Sequence, residues 1–129
     1  MGNRTLKQIG ASSESYTYSA TSNRIATLTP TSGPTRTFSF DNNGSTINDG
    51  ANSFVYDVRG RMVQSTSSFG TTDYKLNALG QRYRKTNSAG DTVFQYDTRG
   101  KLISETDPGG GVKREYIYLG DIPAAVVTQ

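Results

Sequence analysis

Two heptapeptides hold the side chains best suited to chemistry: Tyr56-Asp57-Val58-Arg59-Gly60-Arg61-Met62 and Tyr96-Asp97-Thr98-Arg99-Gly100-Lys101-Leu102. Asp57 and Asp97 are the conspicuous carboxylates. Two carboxylates that converge within several ångströms can share the acid–base work of a hydrolase. Aspartates in turns can also ligate calcium. A row of tyrosines offers stacking faces to a sugar ring. Other reactive groups are missing. The chain has no His, which removes the usual general base near neutral pH and the commonest metal ligand. It has no Cys, which excludes disulfides, thiolate nucleophiles and zinc–thiolate sites.

Repetition decides how these aspartates are read. An active site occurs once, whereas a turn residue recurs with every turn. Asp57 and Asp97 lie 40 residues apart in the same frame, and Asp41 stands in a third copy. A structural role in turns is therefore expected for all three. The dense Asp/Asn/Gly ligand spacing of calcium loops is absent. Glycines stand singly and open no helix, so no phosphate-cradling loop is present. The sequence predicts no catalytic residue, no metal and no cofactor.

The frame is an aromatic residue or Leu, then Asp or Asn, two free residues, then Gly. It occurs at Phe40-Asp41 to Gly44, Tyr56-Asp57 to Gly60, Leu76-Asn77 to Gly80 and Tyr96-Asp97 to Gly100. Tyr18 to Ile25 and Tyr116 to Asp121 are weaker copies. Gly2-Asn3-Arg4-Thr5 matches the second half of the frame, as if the chain began mid-unit in a longer array. Aromatics alternate before each turn, as in Phe54/Tyr56, Phe94/Tyr96 and Tyr116/Tyr118. Period two places each pair on one sheet face. The Asp or Asn side chain can accept from a backbone N–H two residues on, which starts an Asx turn. The Gly supplies the positive φ of a turn that ends in a Gly bulge. Asp41, Gly44, Asp57, Gly60, Asn77, Gly80, Asp97 and Gly100 are thus the expected turn residues. Phe40, Phe54, Tyr56, Phe94, Tyr96, Tyr116 and Tyr118 are the expected sheet aromatics.

Each unit is a β-hairpin. Between units lie further turns at 67–70, 87–91 and 107–111, so turns fall about every ten residues, the spacing of an antiparallel meander. Asp107-Pro108-Gly109 is read as such a turn rather than as a cleavage motif. Pro30 and Pro34 predict a longer loop or an edge over residues 27–37. The fold class is all-β: tandem hairpin repeats, about six units over residues 1–129, forming one curved antiparallel sheet. Residues 1–15 are expected to be a partial unit or a poorly ordered start.

Composition agrees with this reading. Apolar residues are 33% of the chain and mean hydropathy is −0.61, yet there are 8 Tyr and 5 Phe. The core therefore depends on aromatic, strand-favouring side chains. The pI of 9.3 raises the question of nucleic acid. The basic residues are spread singly, apart from Arg82, Arg84 and Lys85, so a solvated charged surface is expected and no nucleic-acid partner. No apolar run reaches membrane-spanning length. The N-terminus lacks the apolar stretch of a secretory signal peptide.

The tandem units resemble the YD repeats of the bacterial Rhs family, in which Tyr-Asp, two variable residues and Gly-Arg precede an apolar strand. YDVRGRMVQ and FQYDTRGKLISET are close matches; NALGQRYRKT and GNRTLK are similar to its variants. The resemblance implies a long β-sheet wound into a hollow shell that encloses a polypeptide toxin, as in the related shells of insecticidal toxin complexes and teneurins. It implies secretion or cell-surface placement in bacteria as part of a larger protein, because a full shell needs more repeats than this chain carries. The implied partners are other YD-repeat segments, or further copies, joined through sheet edges, and an enclosed cargo. A different reading is a free-standing module that binds a glycan or protein on a Tyr-rich face. The direction of the tyrosines separates the two.

Overall fold

The computed structural model describes residues 2–129 and contains only strands and turns. β1 (Leu6–Ile9), β2 (Ser12–Tyr18), β3 (Ile25–Pro30) and β4 (Arg36–Thr37) form a four-stranded sheet. A ten-stranded sheet follows: β5 (Ser39–Phe40), β6 (Thr46–Asn48), β7 (Ser53–Tyr56), β8 (Met62–Ser67), β9 (Gly70–Leu76), β10 (Arg82–Asn87), β11 (Gly90–Tyr96), β12 (Leu102–Thr106), β13 (Val112–Leu119) and β14 (Ile122–Thr128). Within each sheet every strand pairs antiparallel with its neighbour in sequence, so both sheets are meanders. This all-β hairpin architecture is the one that the alternating aromatics and regular turns specify.

The hydrogen bonding divides where one sheet was expected. The line from Arg36 to Phe40 changes partner at Phe38: β4 pairs with β3, and β5 pairs with β6. Phe38 N–H donates to Ala26 O at 2.9 Å. The turn between β6 and β7 packs against this junction. Arg36 Nε donates to Asp49 O at 2.8 Å, and Arg36 pairs with the Asp49 carboxylate at 2.7 Å. The prolines of residues 27–37 do not make the whole stretch a loop. Pro30 closes β3, where Leu28 pairs with Tyr16 on one side and Arg36 on the other, and only residues 31–35 turn. Pro30 needs no ladder donor because it stands at the strand's last position. Near the N-terminus, β1 and β2 form a four-pair hairpin from Leu6↔Ser15 to Ile9↔Ser12.

A register shift follows each turn of the repeated frame. Val55 faces Gln64 while Tyr56 faces Met62, which leaves Val63 extra. Tyr83 is extra in the next unit, Ile103 in the one after, and Ile47 in the one before. Each extra residue stands three after the turn glycine. Such bulges bend the strand and increase its twist. They also carry Tyr83 away from the other tyrosines. Leu76 faces Arg82 on the aromatic side, so Tyr83 falls on the opposite face with Lys75 and Arg84.

Each sheet is a single layer. Among the described residues no apolar side chain is buried; Thr106 alone is, at 4% exposure. A compact monomer of 14.0 kDa exposes about 6,700 Å². This chain exposes 9018 Å². Local pairing and turn chemistry, rather than a core, hold the strands.

Glycines at positive φ make that turn chemistry possible, and two of them differ in kind. At Gly60 (φ 73°) an added Cβ meets nothing within 4 Å. At Gly50 (φ 85°) it would lie 2.7 Å from the Arg36 backbone. Gly60→Ala is therefore expected to cost about 1–2 kcal/mol from backbone strain alone. Gly50→Ala is expected to cost more and to loosen the junction at Phe38. Urea denaturation of both variants followed by circular dichroism checks the order; equal losses would contradict it.

Candidate functional site

The repeated turns form the most organised feature of the molecule. In each, one side-chain oxygen accepts two backbone N–H groups. Asp57 Oδ1 accepts from Arg59 N at 2.9 Å and Arg61 N at 3.0 Å. Asn77 Oδ1 accepts from Leu79 N and Gln81 N, and Asp97 Oδ1 from Arg99 N and Lys101 N. Asp41 does the same for Asn43 N and Ser45 N. The backbone closes around this centre: Asp57 N–H donates to Arg61 O, and Gly60 N–H donates to Asp57 O, both at 2.9 Å. Gly44, Gly60, Gly80 and Gly100 all have positive φ.

Asp107 makes a fifth turn of this design, at the opposite end of the strands. Its Oδ1 accepts from Gly109 N at 2.8 Å and Gly111 N at 2.9 Å, and its N–H donates to Gly111 O. The Asp-x-x-Gly spacing at 107–110 carries the signal, but Thr106 stands where the frame has an aromatic.

The aromatics share one face. Phe40, Phe54, Tyr56, Phe94, Tyr96, Tyr116 and Tyr118 are all partly covered by their neighbours in the sheet. The frame tyrosines also bond in a fixed way. Tyr56 Oη donates to Thr46 O at 3.1 Å, Tyr96 Oη to Arg82 O at 2.8 Å and Tyr118 Oη to Leu102 O at 3.0 Å. Tyr18 Oη donates to Arg4 O at 2.7 Å. Each acceptor stands two residues after the glycine of the preceding unit, and Thr46, Arg82 and Leu102 stand immediately before the bulge position. The hydroxyl thus ties one unit to the unit before it.

Cations cover several ring faces. Arg82 lies 4.0 Å from the Tyr74 ring centre, Lys101 5.2 Å from that of Tyr118 and Arg24 5.6 Å from that of Phe40. These faces are occupied from within. A sugar would have to displace the cations before stacking there.

A second set of links joins successive turns. The residue just after the turn glycine reaches forward to the next turn. Arg61 Nη1 donates to Asn77 O at 3.3 Å, and Lys101 Nζ donates to Gly120 O at 2.6 Å and pairs with Asp121 at 2.5 Å. Gln81 lies against Gly100, where an added Cβ would be 3.2 Å from its Nε2. Arg61 also pairs with Asp57 of its own turn, through Nε at 2.8 Å and Nη2 at 2.7 Å. Where the turn residue is Asn77, the partner is Gln81, which accepts from Asn77 Nδ2 at 2.7 Å. Charge pair and amide pair replace one another at the same two positions.

The electrostatics suit structure better than proton transfer. Arg61 and the backbone donors hold Asp57 below the usual carboxylate range. Arg84 does the same for Asp91, and Lys101 for Asp121. Groups so held are ionised and fully engaged at neutral pH, which leaves them poor general acids. Tyr116 is pushed up by its hydrogen bond to Glu105, and Tyr96 by burial. Among the described residues no three acidic side chains gather to hold a metal ion, and no helix is long and apolar enough to cross a membrane.

The family model for the teneurin YD-shell matches residues 3–123. No curated protein matches the chain.

Two outcomes follow from the tyrosine bonds. Tyr96→Phe is expected to lose about 1 kcal/mol of stability, the worth of one hydrogen bond. Leu76→Tyr is expected to gain a similar amount by donating to Met62 O. Thermal denaturation of both variants decides, and no loss in Tyr96→Phe together with no gain in Leu76→Tyr would reject the role given to the hydroxyl. A third outcome concerns pH. Because the folded pKa of Asp57 is depressed, its contribution is present above the unfolded value of about 3.9 and is lost as pH falls through the folded one. Asp57→Asn keeps the acceptor oxygen, as Asn77 does, but removes the charge. Its stability is expected to fall less between pH 5 and pH 2 than that of the parent chain, measured by urea midpoints across that range.

Proposed function

Since this chain belongs to the teneurin YD-shell family, a family of structural shell repeats, we propose that it forms one stretch of a larger shell wall and helps to enclose a polypeptide cargo. The observation that carries this reading is the single-layer meander. Every unit leans only on its neighbours, and among the described residues nothing covers either terminal strand. β14 is exposed along its whole length, and β1 along all but Lys7. A strand at an open edge presents unpaired N–H and C=O groups to the next strand. The natural partner is a further YD-repeat strand, within the parent protein or from another copy.

The wall reading includes a non-catalytic role. The carboxylates of Asp41, Asp57, Asp97 and Asp107 accept turn N–H groups, and the hydroxyls of Tyr18, Tyr56, Tyr96 and Tyr118 donate to backbone carbonyls. An enclosed toxic polypeptide, export from a bacterial cell and display at its surface belong to this proposal; the shell family and the single-layer geometry of the wall support it. The free-standing glycan-binding module is less well supported, because Arg82, Lys101 and Arg24 sit on the rings a sugar would need.

A wall of repeats accepts another repeat; a closed module does not. Duplicating residues 77–96 in tandem inserts one complete β10–β11 unit in frame. The lengthened chain is expected to fold, to keep its β signature per residue by circular dichroism, and to unfold at a urea midpoint no lower than the parent's. Aggregation or loss of the fold would reject the wall reading.

A further inference from the structure

The face opposite the aromatics carries an apolar seam. The bulges place Ile47, Val63, Tyr83 and Ile103 there, and strand alternation adds Val55 and Ile117. Most stand well out of the sheet: Val55 and Ile117 are 50% exposed, Tyr83 and Ile103 40%. Aligned exposed apolar residues of this extent mark an interaction surface. We propose that this seam is an interface between two copies of the chain, packed face to face as a two-layer wall. The proposal concerns the face of the sheet, not its edges, and does not depend on what the wall encloses.

Three observations select a second copy as the occupant. The first is shape. Val63, Tyr83 and Ile103 lie on every second strand, so their ridges recur at about 10 Å. A shallow depression of 520 Å³ lies between ridges beside Val55, Val63 and Arg84, and a smaller one of 460 Å³ reaches from Ile47 and Val55 to Phe54 and Tyr56 of the aromatic face. A periodic ridged surface displaced by one strand fits its own image. The second is charge. The larger depression holds Asp73 and Asp91 against Lys75 and Arg84, so two such faces meet without net repulsion. Arg84 and Asp91 are already paired, and Asp73 accepts from Gln64 Nε2 at 2.8 Å. The third is area. Both faces and the edges together expose about 2,300 Å² more than a compact monomer, so covering one face can supply the roughly 800 Å² per partner that a standard interface takes. A symmetric dimer uses one patch twice, as self-complementarity requires.

Small-angle X-ray scattering with light scattering on the full chain tests this. The expected particle has twice the 14.0 kDa chain mass and the longest dimension of one sheet, thickened by a second layer at about 10 Å. The double variant Tyr83→Lys/Ile103→Lys is expected to halve that mass. Because both side chains are solvent-exposed in a single copy, loss of the dimer supports the seam whether the variant remains folded or unfolds on separation. A monomeric parent chain overturns the proposal. So does a dimer of nearly doubled length, which would show edge-to-edge joining and leave the wall reading standing. A double variant that stays dimeric overturns it as well.

Discussion

One oxygen atom in each unit organises everything around it. The Oδ1 of Asp41, Asp57, Asn77, Asp97 and Asp107 accepts two backbone N–H groups that a tight turn would otherwise leave without partners. Buried or crowded N–H groups without partners are costly, so the turn forms where such an oxygen is present. The glycine three residues on then takes the positive φ that lets the chain reverse. Reversal fixes the register, the register forces the bulge, and the bulge decides which face each later side chain occupies. A polar contact of a few atoms thereby sets the layout of the fourteen strands of the described residues, among which no apolar side chain is buried.

Much of this is legible in the amino-acid order because its causes are local. Asp57, two residues and Gly60 lie within one turn, and their roles follow from side-chain reach and backbone freedom. Features that depend on pairing across strands are harder to read. The bulge at Tyr83 has no composition of its own; it emerges when Leu76 is set against Arg82. Alternation alone would keep Tyr83 with the other tyrosines, yet it lies on the other side of the sheet. Asp107 belongs with the organising turns, but Thr106 hides it by replacing the aromatic of the frame. The change of partner at Phe38 depends on Asp49 meeting Arg36 across thirteen residues of chain. The hydroxyl bonds of Tyr56, Tyr96 and Tyr118 reach back ten to sixteen residues, and only the register identifies their acceptors.

The two faces of the sheet share the work unequally. On one, aromatic rings, cations and hydroxyls bind successive units together, so most of that chemistry is satisfied internally. On the other, the bulges raise apolar side chains with little to cover them. Family membership and geometry agree on the kind of object this is: a repeating wall whose stability comes from neighbouring units and whose spare surface faces outward from any single unit.

The meander has a mechanical consequence. No strand pairs with anything but its neighbour in sequence. Force applied between the two ends therefore loads the outermost ladder first and each inner ladder only after the last has parted. Such a wall yields in succession rather than at once, releasing about 70 Å of chain for each 20-residue unit. It resists little along this direction, while shear along the strands loads many hydrogen bonds together. A sheet built this way can be drawn through a narrow opening as a thread and rebuilt on the far side one turn at a time.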